Sequence, residues 1–127
     1  MPQAEQEQIK ISDYKEIAEQ IGGNKFLVMT GSKFQYFGYD KLGYVYLMIK
    51  LTRNPSKAQY LKIQLNSNDL YDLTFSRIKK TLNPEYKAMG IKIYDEENVI
   101  IKKYKDVYAD RLQDIFTWVT GMLTRLY

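Results

Sequence analysis

Two neighbouring stretches decide the fold class, YVYLMIKLT at residues 44–52 and AQYLKIQL at residues 58–65. In both, every second residue is apolar, which is the period of an extended strand whose successive side chains point to opposite faces. The pattern predicts a hairpin of two strands with one core face. That face consists of Val45, Leu47, Ile49 and Leu51 on the first strand and Leu61, Ile63 and Leu65 on the second.

The opposite face of this hairpin mixes tyrosine with lysine. It carries Tyr44, Tyr46, Met48, Lys50 and Thr52 on the first strand and Tyr60, Lys62 and Gln64 on the second. Tyrosine offers a ring on which a nucleobase stacks, and lysine neutralises phosphate, so the mixture predicts binding of a single strand. The alternative is a merely structural or subunit-contact face, because tyrosine favours strands for packing reasons and lysine protects exposed strands.

Composition narrows the chemistry that the chain can perform. The 127 residues are 45% hydrophobic, which suits one domain with a real core, and they include neither cysteine nor histidine. Disulfides, thiolate metal sites and histidine-based catalytic triads are therefore excluded. The remaining metal candidates are Asp69 with Asp72, and the acidic run 95–97, but neither has the spacing of a known Mg²⁺ or Ca²⁺ loop. We expect a non-enzymatic protein with no cofactor and no metal.

The positive charge is concentrated in the middle of the chain. Residues 41–105 hold 13 Lys or Arg and 6 Asp or Glu, a net +7, whereas residues 1–40 are at −2 and residues 106–127 at −1. This distribution predicts one basic face and an anionic partner, with single-stranded DNA favoured. No apolar run is long enough to span a bilayer and the N-terminus is polar and acidic, so we expect no membrane association and a cytoplasmic location.

The other segments predict an α+β domain over residues 12–127 after a flexible tail at 1–11. We expect a curved antiparallel sheet of about six or seven strands, with a short N-terminal helix and a longer C-terminal helix on one face and the other face open. The predicted strands outside the central hairpin are 25–30, 34–39, 71–76, 91–94 and 99–104, with an irregular basic loop at 79–90 and an acidic turn at 95–98. The helices are predicted to start near Ser12 and at Asp106, and to end at Gly22 and Gly121.

The predicted nucleic-acid contacts combine the open face with the basic residues around it. On strands they are Tyr44, Tyr46, Lys50, Tyr60, Lys62, Lys92 and Lys102, and in loops or at strand ends they are Arg53, Lys57, Arg77, Lys79 and Lys80. Basic loops beside a stacking face would steer a nucleic-acid backbone toward it, although a charge-rich loop is usually just solvated.

Three segments resemble a group of small phage- and prophage-encoded proteins. They are IGGNKF with MTG at residues 21–31, LN with NDLYD at residues 65–72, and VYAD with TGM at residues 107–122. The resemblance spans nearly the whole chain after the tail, and it implies a phage origin and expression in a bacterial cytoplasm without indicating an activity. More loosely, a curved antiparallel sheet followed by a helix is similar to the PC4 and whirly class of single-strand binders.

Two further hypotheses follow from the aromatic residues. Trp118 lies off the main apolar stripe of the last helix, which indicates a contact with a second subunit and hence a homodimer. The exposed tyrosines suit a protein partner as well as a nucleic acid, so a protein-interaction module, an inhibitor of a host protein or a structural phage protein is the competing function. Salt dependence separates the two, because phosphate binding weakens steeply with salt.

Overall fold

The computed structural model describes residues 14–124, which form four helices and one antiparallel sheet of five strands. The strand order is β1-β2-β3-β4-β5, so every strand pairs with its neighbour in sequence. The elements are α1 (14–21), α2 (Gly23–Thr30), β1 (Lys33–Tyr39), β2 (Val45–Lys50), β3 (Tyr60–Leu65), β4 (Tyr71–Leu82), α3 (Pro84–Ala88), β5 (Tyr94–Val107) and α4 (Leu112–Thr120). The predicted α+β class is confirmed, with five strands where six or seven were expected. The predicted tail at 1–11 lies outside the described residues.

The core lies between one face of the sheet and the helices. The sheet contributes the alternating apolar residues of its three central strands, as the period of two predicts, and α1, α2 and α4 supply the other side. The fully buried side chains include Leu47, Ile49, Leu61, Ile63, Leu73 and Phe75 from the sheet and Ile17, Ile21, Phe26, Leu112 and Phe116 from the helices. Phe26 and Phe116 meet edge to face at 4.9 Å between ring centroids. None of these three helices packs on the opposite face of the sheet, which is therefore an open face.

The N-terminal region corrects one prediction, because residues 25–30 are helical rather than extended. Gly22 has a φ of 126°, which lets α1 turn into α2 after a single residue. In α2, Phe26 and Thr30 lie four residues apart and are both buried, whereas Val28 is 83% exposed, so the segment buries one helical face. A short apolar run such as FLVM is compatible with a strand or a helix, and here packing on Phe116 favours the helix.

The hairpin of β4 and β5 corrects a second prediction. The acidic run 95–97 is not a turn but part of β5, opposite Lys79, Lys80 and Thr81 of β4. Opposite charges directly across an antiparallel pair favour this register. The turn lies instead at Asn83, whose Oδ1 accepts hydrogen bonds from the backbone N–H groups of Glu85 and Tyr86 and so caps α3. Residues 79–90 are therefore not one irregular loop.

Residues 77–99 of this hairpin form an arm that extends beyond the rest of the sheet. The last residue pair between β3 and β4 is Tyr60 with Ser76, and from Arg77 onward β4 pairs only with β5. The arm carries α3 at its tip, and none of the residues between Lys79 and Asn98 is fully buried.

The C-terminal helix begins later than predicted. Asp106 has a φ of 55°, its Oδ1 accepts hydrogen bonds from Asn66 and Asn68, and its backbone N–H donates to Asp72. A 3-10 turn at Ala109–Arg111 follows, and α4 then runs to Gly121, whose φ of 76° ends it as expected. Asp106 thus stabilises the turn between β3 and β4 instead of capping a helix.

Candidate nucleic-acid interface

The open face of the sheet, opposite the helices, brings four of the predicted residues together. In the pairing of β2 with β3, Tyr46 lies opposite Gln64, Met48 opposite Lys62, and Lys50 opposite Tyr60. Because side chains alternate along a strand, these six residues share the face opposite buried Leu47, Ile49 and Leu61. Tyr46, Lys50, Tyr60 and Lys62 are therefore neighbours on one surface, as the sequence predicted.

Tyr46 is a packed residue rather than a free stacking platform. A Cβ atom at Gly38 would lie 2.5 Å from the Tyr46 hydroxyl and 2.7 Å from Cζ, so the ring crosses the glycine on the neighbouring strand. Lys62 Nζ lies 4.5 Å from the ring centroid, and Tyr36 meets the ring edge to face at 6.4 Å. These contacts indicate that Tyr46 positions Lys62, by a cation–π interaction, on the open face.

A shallow groove of about 330 Å³ lies beside this cluster. Its lining contains no charged side chain and consists of Gln35, Tyr36, Met48, Tyr60, Ser76, Ile78 and Asn98. Tyr36 is 51% exposed, and Lys50 and Lys62 lie directly across the strand pair from Tyr60 and Met48. The geometry thus separates an uncharged aromatic surface from the lysines that flank it. A stacked base and its phosphate need that separation.

Sequence reasoning missed Tyr36 because of an irregularity in β1. The register between β1 and β2 shifts between Phe34 and Tyr36, where Gln35 is the extra residue. Phe34 stacks with Phe26 on the core side at 6.3 Å, whereas Tyr36 lines the groove on the open face. Strict alternation would place both on one face. The only signal in the sequence is Gly38, since a glycine inside a strand marks a bulge or a close approach.

A second irregularity explains Lys102 and Lys103. The register of β4 and β5 shifts between Phe75 and Ser76, which pair with Lys102 and Ile100. Lys102, opposite buried Phe75, therefore lies toward the helix side. Lys103 pairs with Thr74 and joins the row of Met48, Lys62 and Thr74 on the open face. The open face therefore carries Lys103 in place of the predicted Lys102. Sequence reasoning missed Lys103.

The remaining predicted residues are spread around the sheet. Tyr44 precedes β2, where its backbone N–H donates to Asp40 Oδ1 and its carbonyl accepts from Gln64. Arg53 and Lys57 are exposed in the loop between β2 and β3, and Lys92 is exposed in the arm. Among the described residues, none of these four lines the groove, and Tyr44 contacts the open face through the side chain of Gln64.

The basic residues of β4 divide between the two sides of the arm. Arg77 and Lys79 pair with Val99 and Glu97, on the side that faces away from the groove residues Ile78 and Asn98. Lys80 lies on the groove side, where its Nζ is 3.8 Å from Glu96 Oε1. Lys79 and Lys80, which were predicted to lie in a basic loop, therefore lie in a strand opposite Glu97 and Glu96, and these acids weaken their attraction for an anion.

The carboxylates have structural roles. Asp72 Oδ1 accepts hydrogen bonds from Asn66 Nδ2 and from the Asp106 backbone N–H, and Asp69 occupies a turn with a φ of 59°. Within residues 14–124, no three acidic side chains come close enough to hold a metal ion. Neither Asp69 with Asp72 nor the acidic run 95–97 therefore belongs to such a group among these residues.

Two other properties bear on partners. Trp118 is 69% exposed, and the Arg111 guanidinium lies over its ring at 5.8 Å. In the part of the chain that the structure covers, every helix is too short or too polar to cross a membrane.

Comparisons with known proteins do not assign a family. No family model matches the chain, and neither a curated protein nor a solved structure matches it.

Proposed function

We propose that the protein binds single-stranded nucleic acid, preferably DNA, on the open face of its sheet. The observation that carries the proposal is the uncharged groove of Tyr36, Met48 and Tyr60 with Lys50 and Lys62 beside it. Stacking of a base on an aromatic ring contributes about 1–3 kcal/mol and tolerates any sequence. The expected partner is thus a single strand without a required base sequence.

The lysines supply the contacts to phosphate. Lys62 is held over Tyr46, and Lys103 lies two strands away in the same row, with Thr74 between them. Neighbouring strands lie about 4.8 Å apart, so the backbone positions of Lys62 and Lys103 are about 10 Å apart across the sheet. Lys50 extends the positive surface at the end of β2.

A single strand suits this surface better than a duplex. Tyr36 is half exposed beside the groove, and its ring can stack only with a base that is not already stacked on both sides. In a duplex the bases are stacked and paired, so only the phosphates would contact the lysines. We propose non-enzymatic binding of this kind in a bacterial cytoplasm, consistent with a phage origin.

Fluorescence anisotropy with labelled oligo-dT and a labelled duplex tests the proposal. We expect tighter binding of oligo-dT, with an affinity that falls as salt rises because lysines displace counterions from phosphates. Lys50→Gln/Lys62→Gln should weaken binding and flatten the salt dependence. The matched control Lys25→Gln/Lys41→Gln removes two exposed lysines that lie outside this face and should change neither. Equal binding of oligo-dT by both double variants would contradict the proposed site.

A protein-interaction module is the second candidate, and the arm favours it. The arm exposes Met89, Ile91, Ile93 and Tyr94 around α3, each by between 41% and 67%. Such apolar side chains anchor protein partners, including an inhibited host protein or a phage structural component. Absence of salt-sensitive binding to either probe, with capture of a partner that Met89→Ser/Ile91→Ser abolishes, would support this function over the first.

A further inference from the structure

The outer edge of β5 is the largest unpaired element of the sheet. β5 has 14 residues and pairs with β4 alone, and no element within residues 14–124 pairs with its other edge. An edge strand of this length presents unpaired backbone donors and acceptors, to which another strand can add.

We propose that β5 pairs antiparallel with β5 of a second copy of this chain, forming a homodimer with one continuous sheet. The strand has an acidic block at 95–97, an apolar centre at 99–101 and a basic block at 102–105. When two such strands run antiparallel, each acidic block lies opposite the basic block of the other copy. A parallel arrangement would place like charges opposite each other, which is unfavourable.

The bulge at Ile101, one of two register shifts between β4 and β5, selects one register. With a two-fold axis at Val99, Asn98 lies opposite Ile100 of the second copy, and Ile101 is the extra residue of the bulge. Beyond the bulge, Glu97 then lies opposite Lys102 and Glu96 opposite Lys103. Both pairs join residues on the same side of the sheet, since Glu97 and Lys102 face the helix side and Glu96 and Lys103 the open side. In this register, each acid therefore lies opposite a lysine that is on the same side of the sheet.

Within residues 14–124, neither Lys102 nor Lys103 of β5 lies opposite an acid. Glu96 and Glu97 lie opposite Lys80 and Lys79 of β4, whereas Lys102 and Lys103 lie opposite Phe75 and Thr74. Lysines on an edge strand usually serve to prevent pairing. In the proposed dimer, the acidic block of the second copy lies opposite these lysines, so they form ion pairs that favour this one pairing. Because Lys103 and Ile100 lie on the open face, the dimer would also join the open faces of both copies.

Analytical ultracentrifugation of the full chain tests this interface without nucleic acid. We expect wild-type protein to be a dimer at tens of micromolar. Lys102→Glu/Lys103→Glu places acids opposite acids in the homodimer and should raise its dissociation constant at least about tenfold. Glu96→Lys/Glu97→Lys should do the same through lysine facing lysine. The control Lys25→Glu/Lys41→Glu makes the same charge change elsewhere and should remain dimeric.

Mixing the two reversed variants distinguishes this register from a general charge effect. In the mixture every reversed lysine faces a reversed acid, so a heterodimer should form although each variant alone is monomeric.

A monomeric wild type would overturn the proposal. So would a wild-type dimer that Lys102→Glu/Lys103→Glu leaves intact while circular dichroism shows a folded chain. If Glu96→Lys/Glu97→Lys fails to fold because it adds charge beside Lys79 and Lys80, the other variant decides alone. Oligo-dT binding is scored separately on Lys50→Gln/Lys62→Gln, whose lysines lie on β2 and β3 away from the β5 edge, so failure of the dimer and failure of nucleic-acid binding are distinguishable.

Discussion

Strand β4 runs through two parts of the molecule that are stabilised differently. They are the body, where all five strands and the helices pack together, and the arm at residues 77–99. In the body, β4 presents Leu73 and Phe75 to a core that the helices close, and both side chains are fully buried. In the arm, β4 has only β5 beside it, and Lys79 and Lys80 are exposed. Hydrophobic burial stabilises the body, whereas a two-stranded hairpin in water is marginal by itself. Within the chain, the arm therefore depends on the cap at Asn83 and on charge pairing such as that of Lys80 with Glu96.

Truncation in the body should have the largest effect. Phe75→Ala removes a fully buried ring that meets Tyr104 edge to face at 6.5 Å. We expect a loss of about 3–5 kcal/mol in the free energy of unfolding, from lost burial and the cavity left behind. Urea denaturation measures it. Ile91→Ala, in the arm, is the matched control and should cost less than about 1 kcal/mol. Similar losses for both variants would abolish the distinction between body and arm.

A backbone change at the turn between α1 and α2 should have the next largest effect. Gly22 has a φ of 126°, and a Cβ there would lie 2.8 Å from Gln113 Nε2 and from Phe26 Cβ. We expect Gly22→Ala to destabilise the body by about 1–3 kcal/mol through backbone strain alone. Gly90→Ala in the arm has a φ of 79° but no neighbour within 4 Å, so thermal unfolding of the body should change little. A neutral Gly22→Ala would show that α1 and α2 are not held as described.

Removal of the α3 cap should act only on the arm. Asn83→Ala deletes the acceptor of the Glu85 and Tyr86 backbone N–H groups and the hydrogen bond to Asp95 Oδ2. We expect a local destabilisation of about 1 kcal/mol. Amide hydrogen exchange should then quicken in the arm while the amides of β2 and β3 keep their protection. Faster exchange throughout the sheet would mean that body and arm unfold as one unit.

The smallest effect is expected from the ion pair in the arm. Lys80 and Glu96 are separated by 3.8 Å, and both side chains are more than half exposed. Lys80→Gln should therefore cost less than about 1 kcal/mol and become neutral at high salt. Thermal unfolding at low and high salt measures this change. A loss that persists at high salt would contradict an exposed ion pair.

The same contrast explains which features were predictable from the sequence. The strands of the body were predicted because burial of one face imposes a period of two on Val45, Leu47 and Ile49. The bulge at Gln35 was not, because a bulge depends on pairing with another strand, and it is what brings Tyr36 to the open face. Four of the predicted site residues and Met48 share the groove side, as the alternation predicts, but Tyr36 and Lys103 required the structure.

The arm was mispredicted because its determinants are far apart in sequence. Residues 95–98 have the composition of a turn, but Glu96 and Glu97 are held in a strand by Lys80 and Lys79. Helix α2 was mispredicted for a similar reason, since its apolar residues are assigned by packing against α4. Local propensity decides neither segment.

The central claim is that bases stack in the groove of the open face, and one titration tests it most directly. Anisotropy of labelled oligo-dT at low salt compares wild type with Tyr36→Ala/Tyr60→Ala and with the control Tyr86→Ala/Tyr108→Ala, which removes two exposed tyrosines outside the groove. Loss of stacking should weaken binding by about 1–3 kcal/mol per base, a combined loss of at least tenfold, for the groove variant alone. Unchanged affinity of a folded groove variant, or no binding by the wild type, would contradict the account.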